Sequence, residues 1–338
     1  MPIEKLSVLD LSPVVSGSTA SEALHNTIEL AKFVEELGYH RYWLAEHHNT
    51  SFIASSSPEI MIGQVAAATT SIRVGSGGIM LPNHTSLKVV ENFRTLEALY
   101  PGRIDLGMGR APGTDMRTAF ALRRGSREAL SADDFPDQVA EVMSFFSGEW
   151  PEGHPFRNIK ASPEGVGTPD IYLLGSSDFS ARLAAELGLG FAFAHHINPH
   201  PALQALAIYR EGFRPGLFDK PHSFLACSVI CAPTDEEAEE LAAPIDLAIL
   251  RLGQNRRGPL ATVEEAKAYE YSLEEREQIA QNRARVTVGS PDTVRRKLTQ
   301  LAEMAQVSEI MVTTMMHSSE DRKRSYQLLS HALSPVRA

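Results

Sequence analysis

The sequence predicts an α/β fold, a (β/α)8 TIM barrel with an inserted helical segment before the eighth strand. Three observations carry this. Short apolar runs alternate with helical-period segments along the 338 residues, and repeated strand–helix units imply right-handed crossovers. Most of the strand runs are continuously apolar, as in a parallel sheet covered on both faces. There are eight of them, the number that closes a barrel of this class. A doubly wound open sheet is the alternative. It calls for a phosphate fingerprint after the first strand, and "SPVVSGS" (12–18) is not one.

The elements follow in order. "LSVLDLSP" (6–13) is a strand. In the helix over 19–38, Leu24, Ile28, Ala31, Val34 and Leu37 recur at helical spacing and Gly38 suits the stop. "YHRYWLAEHH" (39–48) is the second strand. "SPEIMIGQVAAATT" (57–70) is a helix with Ser57 as N-cap and Pro58 in its first turn. Strand "IRVGSGGIML" (72–81), helix 86–100 and strand "RIDLGMGR" (103–110) come next. Helix 135–146, strand "DIYLLGSS" (170–177), helix 178–188, strand "GFAFAHH" (190–196) and helix 200–211 continue the alternation. Strand "SFLACSVICA" (223–232) precedes an acidic helix from Asp235, and strand "EIMVTTMM" (309–316) precedes a closing helix over 319–333.

Residues 1–338 read as one domain, because no Pro/Gly/Ser-rich linker divides them. Stretches 111–134, 147–169 and 247–288 exceed ordinary loop lengths, and long loops in compact domains are usually functional or mobile. The third holds Glu/Arg-rich helical sequence and reads as a lid over one barrel mouth. A formal net charge of −10 argues against a nucleic-acid partner. No apolar run approaches the roughly 18–20 residues of a membrane helix, and no signal-peptide pattern opens the chain. A cytoplasmic protein away from the membrane is expected. Cys227 and Cys231 share one strand face about 13 Å apart, which suits two buried free thiols.

Chemistry in such a barrel sits at the carboxyl ends of the strands. Those ends carry Glu46-His47-His48, Asn83-His84, Arg110, Ser176-Ser177, His195-His196 and His317. Six of the twelve histidines thus gather on one face, which scattered solvated histidines would not do. No metal is expected. Adjacent strand residues point to opposite faces, so His47 and His48 cannot share an ion, and neither His-x-His nor His-Glu-x-x-His occurs. Ser176 and Ser177 open a helix with Ser180 one turn in. Free N–H groups and hydroxyls there suit an anion, and Arg110 would add a charge-assisted fork; an ordinary Ser N-cap is the plain alternative. Ser76-Gly77-Gly78 interrupt a good strand, which marks either a ligand pressed on the backbone or a packing kink.

"YWLAEHHN" (42–49), "VGSGGIMLPNHTSLKVVE" (74–91), "LYPGRIDLGMGRAPG" (99–113) and "IYLLGSSDFSARLAAELGLGFAFAHH" (171–196) resemble the luciferase-like flavin monooxygenases. The resemblance runs from residue 6 to about 230 and resumes at "VTVGSPDTVRRKL" (286–298) and "EIMVTT" (309–314). It implies a barrel that binds reduced FMN and activates O2 as a flavin C4a-hydroperoxide, to oxygenate a small organic substrate. Glu46 and His47 match the family's residues beside the flavin. His47 would be the acid/base group, since an unperturbed imidazole titrates near pH 6.5. Glu46 would orient it or hold the flavin edge; a barrel salt bridge is the alternative. Gly77-Gly78 match a cis peptide against the isoalloxazine. Arg110, Ser176, Ser177 and Ser180 match phosphate-binding positions. His84, His195 and His196 would line the substrate pocket, while Phe191 and Phe193 belong to the core.

The family often dimerises through helices beside strands 2 and 3, so a homodimer is expected. Reduced FMN would come from a separate flavin reductase, because no second nucleotide site for NADH is visible. Gly109 stands where luciferase catalytic subunits carry a Cys, which argues against light emission. Rival readings are a deazaflavin-dependent hydride-transfer enzyme on the same barrel, a non-catalytic flavin-binding protein and a barrel metallohydrolase.

Overall fold

The computed structural model describes residues 2–125, 134–254, 256 and 258–333. Part of the long stretch 111–134, residues 126–133, lies outside the described residues.

Eight parallel strands close a barrel. They are β1 (Lys5–Asp10), β2 (Arg41–Leu44), β3 (Arg73–Ser76) with its continuation β4 (Ile79–Met80), β5 (Ile104–Gly109), β6 (Asp170–Gly175), β7 (Gly190–Phe193), β8 (Ser223–Cys231) and β10 (Glu309–Thr313). Closure is visible in the register. On one side of β10, Ile310 faces Leu6 of β1; on the other, Ile310 faces Leu225 of β8.

Helices follow the strands. They are α1 (Ala20–Glu36), α2 (Pro58–Ala68), α3 (Ser86–Leu99), α5 (Phe135–Ser147), α6 (Asp178–Glu186), α7 (Ala202–Gly212), α8 (Asp235–Gly253), α11 (Pro291–Ala305) and α12 (Ser319–Leu333), with short α4 (Met116–Leu122) after β5. Thr19 and Glu22 form a capping box that starts α1, satisfying two of its free N–H groups. The outward strand residues and inward helix faces form the main core, which includes Val8, Tyr42, Val74, Leu106, Phe191 and Phe193.

The segment 247–288 differs from the expected insertion at both ends. Its first residues are the end of α8, whose buried positions Ala242, Leu247 and Leu250 carry the helical spacing past Pro244. Its last residues form β9 (Val286–Gly289), which pairs with the outer half of β8 from Ser228 to Cys231. Only α9 (Val263–Ala268), α10 (Leu273–Asn282) and their connections are inserted helix. The insertion touches the carboxyl mouth of the barrel: Leu260 bridges Val15 in the loop after β1, and Ser16 N–H donates to the Leu260 carbonyl at 2.8 Å. The sequence also assigned no element to α4 or α11. In α11, buried Val294, Leu298, Ala302 and Ala305 keep a helical spacing, with Pro291 in the first turn.

The amino-end floor of the barrel is an ion network. Arg41, 1% exposed, binds Asp105 at 2.7 Å and Glu309 at 2.7 Å. Asp105 also accepts from Trp43 Nε1 at 2.8 Å. Burial opposes ionisation of Glu309, but Arg41 beside it holds the carboxyl far below the usual range. Buried charge survives only when paired in this way. Above the floor, Trp43 packs edge-on against Tyr172 and Phe224, each at 5.2 Å between ring centroids. These rings plug the axis and form the base on which the site rests.

Candidate active site

The next interior layer is small. Ala45, Gly77, Gly109, Ala194 and Ala226 face the axis where such barrels usually carry bulky branched residues. The volume they leave is a cavity of about 360 Å³ at the carboxyl ends of the strands. Glu46, His47, Gly77, Arg110, Ser176, Ser177, Ser180 and His196 line it. Gly78, His84 and His195 are not on its wall.

Gly77 and Gly78 break β3 from β4, and the peptide between them is cis. A Cβ on Gly77 would stand 2.5 Å from Leu9 Cδ1, and one on Gly78 would stand 2.7 Å from the Gly107 carbonyl oxygen. Gly78 is therefore required by the protein's own packing, because the backbone cannot give way, whereas at Gly77 the contact is with the end of a flexible side chain.

One corner of the cavity gathers Arg110, Ser176, Ser177 and Ser180, donors of the kind that could hold an anion. Ser177 caps α6 without spending its side chain on the cap, which leaves the hydroxyl and the first-turn N–H groups without that mutual bond. Gly175 allows the tight entry, since a Cβ there would lie 2.8 Å from Ser180 Cβ. The Arg110 guanidinium lies 4.2 Å over the Phe179 ring. That stacking positions the charge while leaving its donors available.

Elsewhere on the wall stand Glu46, His47 and His196. Glu46 does not bond to His47. Its carboxylate accepts from His48 Nε2 at 2.8 Å, from His84 Nε2 at 3.0 Å and from the Met80 N–H at 2.8 Å. Burial opposes its ionisation, yet these donors prevail and pull the carboxyl down to about 2. The same contact works on His84, where the Glu46 carboxylate outweighs burial and raises the imidazole. His84 thus acts behind the wall as a brace for Glu46. His47 is the opposite case. Burial, then the neighbouring His196, push it down to about 4, and its buried Nδ1 has no hydrogen-bond partner. His196 donates Nδ1 to the Ala226 carbonyl at 2.9 Å, which leaves Nε2 as the acceptor of the neutral ring. Burial lowers His196 and His195 as well. His317 is tied to the Ser16 carbonyl at 2.9 Å.

Sequence reasoning missed Trp43 as the cavity floor and His48, His84 and Met80 as the holders of Glu46. The small-residue signal was present in "AFA" (192–194), where alternate alanines remove volume from one strand face, and in the single Ala226 of "LAC" (225–227). Among the described residues no group of three or more His, Cys, Asp or Glu is arranged to hold a metal ion. Among the same residues no helix is long and apolar enough to cross a membrane.

Residues 5–307 match the family of luciferase-like monooxygenases. The chain is 41% identical over 323 residues to the luciferase-like monooxygenase of Escherichia coli, covering 95% of each chain. It is 36% identical over 331 residues to N-acetyl-S-alkylcysteine monooxygenase of Bacillus subtilis, covering 97% of this chain and 98% of that one. The crystal structure of apo-MsnO8 superposes with a TM-score of 0.88 at 39% identity, covering 98% of this chain and 99% of that one. The chain belongs to the luciferase-like monooxygenase family, and it is an oxidoreductase. More distant structures share the barrel alone. A type II Baeyer-Villiger monooxygenase from Pseudomonas putida, described in complex with FMN, has a TM-score of 0.72 at 19% identity over 99% of both chains.

Proposed function

We propose that the protein is a monooxygenase that binds reduced FMN and uses O2 to oxygenate a small organic substrate. The observation that carries this reading is His47 Nδ1, a buried, unpartnered ring nitrogen on the wall of a cavity that also gathers the Arg110, Ser176, Ser177 and Ser180 donors. The residues fit the cofactor. Arg110, Ser176, Ser177, Ser180 and the first turn of α6 would hold the phosphate. The Gly77-Gly78 backbone would support the isoalloxazine. When bound, reduced FMN supplies two electrons to O2, so that one oxygen atom enters the substrate and the other leaves as water.

The chain's residues contribute binding, orientation and proton control. His47, neutral at pH 7, would take up or release a proton through Nδ1. Glu46 is a positioning residue: its bonds to His48, His84 and Met80 fix the strand end that presents His47. Trp43, Leu9 and Met311 keep the inner end of the cavity dry. The α9–α10 insertion, anchored on the loop after β1, would act as the lid that excludes water. A separate flavin reductase would supply the reduced cofactor. Ile60 on α2 and Leu99 on α3, 64% and 63% exposed, support a homodimer through these helices.

The test is equilibrium binding of reduced FMN and of riboflavin under anaerobic conditions. Reduced FMN is expected to bind and riboflavin to bind at least about tenfold more weakly, because the Arg110 corner needs a phosphate. Equal affinity for the two, or none for either, would contradict the proposal.

A further inference from the structure

Two methionines line the cavity, Met80 at the end of β4 and Met311 of β10. Met311 is 1% exposed, whereas Met80 is half-buried. Met80 pairs with Gly109 across the β4–β5 ladder. On β5, Asp105 accepts from Trp43 Nε1 and a Cβ on Gly107 would meet the Trp43 ring at 3.2 Å, so both face the axis. Residues two apart on a strand share a face, and Gly109 faces the axis as well. A Cβ there would stand 3.1 Å from Met80 Cε and 3.3 Å from Met80 Sδ. The thioether therefore lies on the axis side of Gly109, in space that the missing side chain leaves open. A Cβ on Gly113, also on the cavity wall, would lie 3.0 Å from Met80 Cγ.

A thioether is soft, and two-electron oxidants convert it to a sulfoxide. In bulk peroxide the exposed thioethers react first, and these include Met116 and Met304, 60% and 52% exposed and neither on the cavity wall. An oxidant made inside the cavity meets Met80 before either of them. When reduced flavin reacts with O2 and no organic substrate is bound, two electrons and two protons pass to O2, giving oxidised flavin and hydrogen peroxide. The peroxide O–O bond then breaks. One oxygen forms the S–O bond at Met80, and the other leaves as water. The sulfur loses two electrons and the peroxide gains them.

We propose that Met80 is a self-oxidation site: its thioether takes oxygen from hydrogen peroxide released in the cavity when no organic substrate is present, and the resulting sulfoxide weakens the hold on reduced FMN. This rests on the flavin reading, which places the oxidant in this cavity. The sulfoxide is polar and chiral where the thioether is flexible and apolar. It alters the wall beside Gly109 and Gly113, on the residue whose N–H donates to Glu46 at 2.8 Å.

The test cycles FMN-loaded wild type through reduction and reoxidation by isotopically heavy O2, then reads each methionine by peptide mass spectrometry. Catalase is present throughout; it destroys escaped peroxide and is too large to enter the cavity. Met80 is expected to carry heavy-oxygen sulfoxide at about five times the fraction found at Met116 and Met304, or more. Hydrogen peroxide added to flavin-free protein should reverse that order. Cycling should weaken reduced-FMN binding by wild type about tenfold. Met80→Leu keeps the side-chain volume and the backbone N–H, and its affinity should be the same before and after cycling. Met80 oxidation no greater than at the exposed methionines, the same order with added peroxide, or an equal loss of affinity in Met80→Leu would overturn the self-oxidation site and leave the flavin reading standing. A wild-type protein that does not bind reduced FMN would overturn both.

Discussion

The Glu46 carboxylate and the His84 imidazole, 38 positions apart in sequence, meet at 3.0 Å behind the cavity wall. Burial opposes ionisation of Glu46, but its bonds from His48, then His84 and Met80, draw it down to about 2, and the Glu46 contact raises His84. Glu46 is thereby a fixed anion and does not donate or take a proton near neutral pH. It tethers the end of β2 to β4 through the Met80 N–H and to the segment after β4 through His84, and so holds the backbone next to His47.

Removing that anion should loosen the site. Glu46→Gln keeps the shape but ends the charge on both histidine contacts. A stability loss of about 1–3 kcal/mol is expected in urea unfolding, and the His84 pKa should fall in an NMR pH titration. An unchanged His84 titration would show that the contact is absent in solution.

The same pair gives a pH signature. The depressed Glu46 carboxyl contributes stability above its ordinary value of 4.5, and that stability is lost as pH falls through about 2. The raised His84 contributes below its ordinary value of 6.5, and that part is lost as pH rises through its folded pKa. The pair should therefore be strongest between about pH 4.5 and 6.5. The stability difference between wild type and Glu46→Gln should peak in this window and shrink on either side.

His47 predicts a different limb. Its folded pKa lies below the ordinary 6.5, near 4, so the neutral base persists well into acid. The acid limb of kcat/KM, which reports free-enzyme groups, is expected nearer pH 4 than 6.5. His47→Ala should abolish that limb and lower the rate by about a hundredfold or more. A limb at 6.5 that survives in His47→Ala would assign it to another group.

The glycine pair separates two kinds of tight contact. Gly77→Ala meets the end of the Leu9 side chain, which can turn away, whereas Gly78→Ala meets the backbone carbonyl of Gly107. Gly78→Ala should cost more, about 1–3 kcal/mol beyond Gly77→Ala by thermal unfolding. The reverse order would mean that Leu9 cannot move.

Much of the barrel was legible, because apolar runs such as "IRVGSGGIML" and helical spacings such as Leu24–Ile28–Ala31 are set by burial on two faces or one. Strand β9 was not, since "VTVG" is four residues long and pairs only beyond the barrel. Helix α11 carries its helical spacing in Val294, Leu298 and Ala302. At the site, the strand-end rule brought Glu46, His47, Arg110, Ser176, Ser177, Ser180 and His196 to one cavity. It placed His84 and His195 there too, although neither lines the wall. Which carboxylate oxygen a histidine meets depends on loop path, and the path from Met80 to His84 through a 3₁₀ turn leaves no periodic trace.

The measurement that tests the central reading most directly is stopped-flow mixing of the reduced-FMN complex with O2, in wild type and His47→Ala. Wild type is predicted to show a transient absorbance band distinct from both reduced and oxidised FMN, shortened or absent in the variant. Reoxidation indistinguishable from that of free reduced FMN, in both proteins, would contradict oxygen activation in this cavity.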